Sequence, residues 1–227
     1  MSRRAIFLDW TIPIVLLALF TVPFFTTDID MRISRHFYVP GVGYPVGAKP
    51  VWHWFKYFGA IPPLVVSISA LGVFIGSFIG PRMHAMRRGA LFLVLAMALG
   101  PGLITNDVFK DHWGRPRPRD VVALGGSRDY VPPLLMSPRE NGSSFASGHA
   151  ATAFYLLTPY FLLRRRSRAK AALVFALGLT YGALMGYARV AQGAHFLSDV
   201  VWSLGIVYVS ALTVYYVLRL HRTTSQA

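Results

Sequence analysis

The sequence predicts an all-α membrane protein with about six transmembrane helices, and three observations support this prediction. The chain of 227 residues is 54% hydrophobic and only 14% charged, against roughly 25% charged residues in soluble domains. Its apolar residues fall into long blocks, and a helix needs roughly 20 such residues to cross a bilayer core. Basic residues are concentrated between alternate blocks. We therefore expect one membrane-embedded domain over residues 1–227.

Each apolar block is expected to be one transmembrane helix. The six blocks run from about Ala5 to Phe25, Ile61 to Gly80, Ala90 to Phe109, Ala150 to Leu163, Ala171 to Tyr187 and Phe196 to Leu218. The first resembles a secretory signal peptide, but no small-residue cleavage site follows it, so we interpret it as a retained span. The fourth and fifth are short unless their polar ends are included. A loop over about 26–60 is rich in aromatic rings, which favour the lipid headgroup level.

The net charge of +14 is interpreted as a topology signal. Six crossings place both termini on one side, where twelve basic residues occur without an acidic one: Arg3, Arg4, Arg82, Arg87, Arg88, Arg164, Arg165, Arg166, Arg168, Lys170, Arg219 and Arg222. Such an excess marks the cytoplasmic side. The charge therefore does not indicate a nucleic-acid partner, and the absence of cysteine excludes disulfides and thiolate metal ligands.

Glycines recur at intervals of four in two of the blocks, which places each set on one helical face. The sets are Gly72, Gly76 and Gly80 in the second block and Gly178, Gly182 and Gly186 in the fifth. Small residues so placed allow helix backbones to approach closely, so both sets are predicted packing faces. Gly100-Pro101-Gly102 is expected to bend the third span.

Three clusters of polar residues lie where predicted spans meet the outer face. They contain Lys110 and Arg117, then Ser147, Gly148 and His149, and lastly Arg189, His195 and Asp199. Three cations in one small volume would repel one another unless they held an anion, and a tetrahedral phosphoryl group suits arginine, which can engage two oxygens. The start of a helix near Ser147 would also favour an anion.

His195 and Asp199 are four residues apart, so their side chains share a face if the sixth span begins near them. A carboxylate bonded to one imidazole nitrogen would leave the other nitrogen free to attack phosphorus. His149 would supply the proton that the departing alkoxide needs. Since cations can stabilise the transition-state charge, we expect no metal or other cofactor.

The order and spacing of these residues resemble the type 2 phosphatidic acid phosphatases, which share their phosphate site with the vanadium haloperoxidases. The family pattern is Lys, six residues, Arg-Pro; then Pro-Ser-Gly-His; then Ser-Arg, five residues, His, three residues, Asp. Ala146 and Ala188 replace the family's Pro and Ser, which affects only fine geometry because neither is a reacting group.

The resemblance implies a six-helix bundle over about residues 1–220 and a phosphohistidine intermediate on His195, with His149 as general acid. It implies these phosphate ligands: Lys110, Arg117, Ser147, Gly148 and Arg189. The doubled Arg-Pro of residues 115–118 and the long loop after it are most similar to bacterial lipid A phosphatases. Phosphatases of phosphatidylglycerophosphate and undecaprenyl pyrophosphate share the same core residues.

The predicted function is a lipid phosphatase of the bacterial cytoplasmic membrane, whose partners are the bilayer and a phosphorylated lipid and whose site faces the periplasm. A lipid phosphotransferase would use the same intermediate, and a non-enzymatic anion carrier would use the same cations. Two further alternatives are an intramembrane serine protease using Ser147 and a metal hydrolase using His149, His195 and Asp199. No oligomeric state is predicted.

Several polar residues outside the clusters are expected to face water or lipid headgroups, namely Arg115, Arg119, Arg128 and Arg139. Asp9 is expected to reach water near the cytoplasmic end of the first span. Asn106, a polar residue inside a span, is a candidate for function because such groups are costly to bury.

Overall fold

The computed structural model describes residues 2–110, 112–137 and 142–222 and confirms the all-α class. Its α-helices are α1 (Arg3–Thr21), α2 (Pro23–Thr26), α3 (Ile29–Phe37), α4 (Pro50–Phe58), α5 (Ile61–Gly76), α6 (Pro81–His84), α7 (Arg87–Met97), α8 (Gly148–Phe154), α9 (Tyr160–Leu163), α10 (Arg168–Ala191) and α11 (Leu197–Val217). A π-helix (Ala98–Lys110) continues α7, and 3₁₀ turns cover Pro118–Asp120, Val122–Leu124, Tyr155–Leu157 and Leu220–Arg222.

Five helical stretches in the described residues are long and apolar enough to cross a membrane. They are Arg3–Thr26, Pro50–Gly76, Arg87–Lys110, Arg168–Ala191 and Leu197–Val217. The fourth predicted span is instead a broken helix, in which α8, a 3₁₀ turn and α9 follow one another. This segment packs against α10 and α11, and its core-facing residues are buried. A segment surrounded by protein does not need the long apolar surface that lipid requires.

The broken segment still joins the two ends of the bundle, because Arg164 just after α9 reaches α1. Its Nη2 donates to Asp9 Oδ2 over 2.6 Å, and the Tyr216 hydroxyl donates to the same oxygen, also over 2.6 Å. The Asp9 side chain is 24% exposed and so reaches water as predicted, but its carboxylate is also paired, which the sequence does not indicate. Arg88 donates to the Leu218 carbonyl, and Arg165 donates to the His221 carbonyl. Basic helix ends therefore lie together at the end of the bundle that contains Asp9 and Arg164.

The second span begins earlier than predicted, because α4 precedes α5 with only Gly59 and Ala60 between them. The aromatic residues of the predicted loop therefore lie partly on a helix. The Trp52 ring contacts Tyr187, with ring centres 4.8 Å apart, while Trp54 and Tyr57 are more than half exposed. One face of α4 thus packs on α10, and the other presents rings outward.

The third span widens rather than simply bending at Pro101. Proline lacks the N–H that an α-helix requires, and the chain continues as a π-helix. Thr105 Oγ1 donates to the Gly100 carbonyl at 2.8 Å, and Asn106 Nδ2 donates to the Pro101 carbonyl at 2.7 Å. Asn106 also lies so close to Gly148 that a Cβ there would overlap with its Oδ1. Asn106 thus lies against one of the predicted phosphate ligands, and its candidacy for function stays a prediction.

The two glycine sets behave differently. In α10, a Cβ on Gly178 would overlap with the backbone of Leu157, and one on Gly182 would overlap with the Phe154 ring. This confirms the close packing predicted for the fifth block. In the second block, a Cβ on Gly72 would meet nothing within 4 Å, so the packing prediction is wrong at that position. A Cβ on Gly76 would lie 2.9 Å from the Met83 sulfur, and one on Gly80 would lie 3.4 Å from the Met83 methyl carbon. The interval of four defines a face, but not whether another helix lies against it.

Candidate active site

The polar clusters come together at the end of the bundle opposite the basic helix ends. The π-helix ends at Lys110, α8 begins at Gly148, α10 ends just after Arg189, and α11 begins just after His195. His149 lies in the first turn of α8, which packs against the π-helix, α10 and α11. Four helix ends thus bring residues that are far apart in sequence into one small volume.

His195 is held in one tautomer by a backbone carbonyl. The ring is 3% exposed, and its Nδ1 lies 2.7 Å from the Ser144 oxygen. A carbonyl oxygen only accepts hydrogen bonds, so Nδ1 carries the proton and Nε2 has the free lone pair. Burial lowers the pKa of His195 below its ordinary value of 6.5, and Arg189 and Arg117 act in the same direction against Asp199. The ring is therefore a neutral base at neutral pH.

Asp199 lies on the same face as His195, as the spacing predicts, but it does not bond the imidazole directly. The His195 Nδ1 to Asp199 Oδ2 distance is 3.7 Å, which is beyond a good hydrogen bond. Oδ2 accepts instead from Ser144 Oγ at 2.6 Å and from the Phe196 N–H at 2.8 Å. The ring is therefore oriented by the Ser144 carbonyl, and not directly by Asp199 as the sequence predicts. Asp199 instead holds Ser144 in place.

Arg115 is the residue that sequence reasoning misplaced. It was expected at the surface, but its side chain is fully buried between Asp30 and Asp199. It also donates to Ser198 Oγ at 2.8 Å and to the Val131 carbonyl at 2.8 Å. Burial opposes its charge, but Asp199 and Asp30 outweigh this effect and raise the pKa of Arg115. The network joins α3 to the start of α11.

The remaining three arginines of that group have separate outcomes. Arg119 is exposed, as predicted, and Arg128 is only partly exposed. Arg139 lies outside the residues that the structure describes.

Arg117 and Arg189 present unpartnered donors to the site. Arg117 Nη2 donates to Ser143 Oγ at 2.9 Å, and Arg189 Nη1 donates to Gln192 Oε1 at 2.6 Å. The Nε atom of each is buried and has no hydrogen-bond partner within residues 2–110, 112–137 and 142–222. Buried donors normally have partners, and two guanidinium groups side by side suit an oxygen anion.

Ser147 and Gly148 form the start of α8, as the sequence predicts. Ser147 is fully buried, its N–H donates to Ser203 Oγ at 2.9 Å, and its Oγ accepts from the Ala150 N–H at 3.4 Å. In the described part of the chain, no hydrogen bond joins Ser147 to a histidine. A nucleophilic serine needs such a base, so this geometry does not favour the protease alternative.

A cavity of about 290 Å³ adjoins these residues. Its inner wall carries Arg117, Arg189 and Gln192, and its outer wall comes from the segments around Tyr44, Lys56 and Arg119. Part of the lining is held by close backbone contact, because a Cβ on Gly47 would overlap with the Ala191 carbonyl. The cavity is therefore a cationic recess at the helix ends.

No group of three or more histidine, aspartate or glutamate side chains that could hold a metal ion is found in the described residues. The expectation that no cofactor is needed stays a prediction.

The lowered pKa of His195 predicts an acid limb of kcat/KM below pH 6.5. The reacting ring must be unprotonated, and kcat/KM reports ionisations of the free enzyme. The measurement is kcat/KM as a function of pH, corrected for the second ionisation of the substrate phosphate. Phosphorus NMR gives the pKa of that ionisation. A corrected limb at or above pH 6.5 would contradict the burial and charge environment described for this ring.

Comparison with known proteins agrees with this geometry. The profile of the PAP2 superfamily matches residues 89–222. The Lipid A 4'-phosphatase of Francisella tularensis subsp. novicida is 34% identical over 194 residues, which are 83% of this chain and 85% of that protein. The Lipid A 4'-phosphatase of Rhizobium leguminosarum is 34% identical over 138 residues, or 59% of this chain and 58% of that protein.

A solved structure shares the fold. The transmembrane PAP2 type phosphatidylglycerolphosphate phosphatase of Bacillus subtilis superposes with a TM-score of 0.54 and 21% identity, over 94% of this chain and 98% of that one. The matched profile covers more than half of the chain, and the Francisella relative covers most of it. The chain therefore belongs to the PAP2 superfamily and is a membrane-embedded lipid phosphatase.

Proposed function

We propose that this phosphatase hydrolyses a lipid A type phosphomonoester through a phosphohistidine on His195, at the periplasmic face of a bacterial cytoplasmic membrane. The observation that carries the mechanism is the Ser144 carbonyl, 2.7 Å from Nδ1. It leaves Nε2 as the atom with a free lone pair, in a site where Arg117 and Arg189 act on the ring.

The reaction has two displacements. Nε2 of His195 attacks phosphorus, the bond from phosphorus to the lipid oxygen breaks, and His149 gives a proton to that oxygen. Water then attacks the phosphohistidine, His149 takes a proton from this water, and the bond from phosphorus to nitrogen breaks to release phosphate. The imidazolium formed in the first step is stabilised by the Ser144 carbonyl and by Asp199 nearby.

The other predicted residues hold the phosphoryl oxygens. Arg117 and Arg189 would use their unpartnered Nε donors, and Lys110 adds a third charge. Ser147 and Gly148 complete the set at the start of α8. Fixed donors of this kind stabilise the charge that develops in the transition state.

The choice of lipid A rests on the Francisella relative, which this chain matches over 85% of the relative's length. The outward orientation is proposed because the basic helix ends lie opposite the site, and an excess of basic residues favours the cytoplasmic side. A phosphotransferase would share the first displacement and differ only in the acceptor. An anion carrier is less well supported, because its cations would need to continue across the bilayer, whereas the residues of this site lie at one end.

Phosphate release by the full chain in detergent tests this function. We expect release from lipid A in the presence of a strong chelator, and slower release from phosphatidylglycerophosphate, phosphatidic acid and undecaprenyl pyrophosphate. The chelator should have no effect, because cations of the chain supply the charge. Release that depended on a metal would contradict the mechanism, and a different preferred lipid would contradict the substrate.

A further inference from the structure

The cationic cavity carries more positive charge than the proposed reacting phosphate uses. Arg117 and Arg189 belong to that phosphate, but Lys56 of α4 and Arg119 line the same cavity and have no role in the reaction. Arg119 is only loosely paired, since its Nε is 3.9 Å from Asp120 Oδ1. The Lys56 ammonium lies 4.8 Å from the Tyr57 ring centre and donates to the Tyr57 hydroxyl at 3.4 Å. No acidic side chain lines the cavity among the described residues.

These two outer cations are carried by backbone that is fixed against the helix ends. Gln192 Nε2 donates to the Trp52 carbonyl at 2.9 Å, and the Tyr181 hydroxyl donates to the Gly59 carbonyl at 2.9 Å. Both contacts hold α4 against α10. The Arg119 N–H donates to the Gly193 carbonyl at 3.1 Å. The outer wall is therefore held in place at several points.

A buried hydroxyl in the same wall also lacks a partner. Tyr44 lines the cavity, and its oxygen has no hydrogen-bond partner in the described part of the chain. Burial raises the pKa of Tyr44, so the hydroxyl keeps its proton and remains a donor. Tyr44 packs against Gly193, whose carbonyl accepts the Arg119 N–H, so the two side chains start from neighbouring backbone. The charges of Asp120 and Arg119 both act on this tyrosine. A hydroxyl donor beside two cations suits a second oxygen anion.

We propose that Tyr44, Lys56 and Arg119 form a second anion subsite, which binds another anionic group of the lipid whose phosphate reacts at His195. This inference rests on the proposed function and narrows its substrate class to headgroups with two anionic groups, such as two phosphomonoesters. The cavity volume of about 290 Å³ is near the lower end of the roughly 300–1,000 Å³ range of ligand pockets, which suits part of a headgroup.

The test measures binding, so that it does not depend on turnover. The full chain carrying His195→Ala is titrated in detergent with a glycolipid that has two phosphomonoesters, and with the same glycolipid retaining only the phosphate that is hydrolysed. We expect about tenfold or tighter binding of the first lipid. Adding Lys56→Gln and Arg119→Gln should reduce the ratio of the two affinities, first lipid to second, to near one. The affinity for the second lipid should change less than about twofold. Tyr44→Phe alone should reduce the ratio by about threefold.

Lys49→Gln with Arg35→Gln is the matched control, because both residues are exposed and neither lines the cavity. This pair should leave the ratio unchanged. Equal affinities for the two lipids, or a ratio that survives the Lys56 and Arg119 substitutions, would overturn the subsite. If these residues instead bound a free anion or the headgroup of a neighbouring lipid, the two glycolipids would also bind with equal affinity. Failure of the wild-type chain to hydrolyse any lipid would instead contradict the proposed function and leave this binding test in force.

Discussion

Replacement of His195 by glutamine is expected to reduce phosphate release by roughly 10⁴-fold or more, since loss of a nucleophile removes the covalent route. Glutamine retains a side-chain N–H that can donate to the Ser144 carbonyl, so the fold should be preserved. The measurement is the rate of phosphate release from lipid A by purified protein in detergent. Thermal unfolding of the same samples reports whether the variant is folded.

His84→Gln is a suitable control because His84 is an exposed histidine of α6, away from the site. It should retain the wild-type rate. His149→Gln should lose roughly 10²–10⁴-fold, the range for a general acid. A folded His195→Gln protein that released phosphate within tenfold of wild type would contradict the assignment of the nucleophile.

Replacement of Arg115 by methionine should strongly destabilise the protein, because it leaves Asp30 and Asp199 buried without their cation. Breaking a buried ion pair by removing one partner costs about 3–5 kcal/mol. For a chain of this size, roughly 2–4 °C of melting temperature corresponds to each kcal/mol, so a decrease of about 6–20 °C is expected. Phosphate release should also fall, since Asp199 helps to position Ser144.

Arg82→Met is the control, as an exposed arginine whose replacement should cost less than about 0.5 kcal/mol. Combining Arg115→Met with Asp30→Leu removes one of the two orphaned carboxylates and should recover part of the lost stability. A melting temperature within about 2 °C of wild type for Arg115→Met would show that the buried network contributes little.

The transmembrane character was predictable because bilayer thickness imposes long apolar blocks, and the ends of those blocks located the clusters. The fourth span shows the limit of that reasoning, since a segment buried by α10 and α11 need not be long or unbroken. The start of α4 at Pro50 was missed for a different reason: its aromatic residues are also compatible with an interfacial loop.

Within the site, the spacing of His195 and Asp199 predicted their proximity, because helical geometry depends on local sequence. The hydrogen bond to the Ser144 carbonyl was not predictable, since a backbone oxygen carries no residue-type signal. Arg115 was misplaced because its partner Asp30 is 85 residues away in the chain, and pattern alone does not show which arginine of a doubled Arg-Pro is buried.

Detection of the covalent intermediate is the most direct test of the proposed chemistry. The His149→Gln protein is mixed with a lipid-tailed aryl phosphate, whose leaving group needs no proton, and is quenched rapidly in base before intact-mass analysis and peptide mapping. Because water activation by His149 is missing, we predict that a phosphoryl group accumulates on His195. A chain that turns over the substrate without acquiring phosphate, or that carries it on Ser147, would contradict nucleophilic attack by His195.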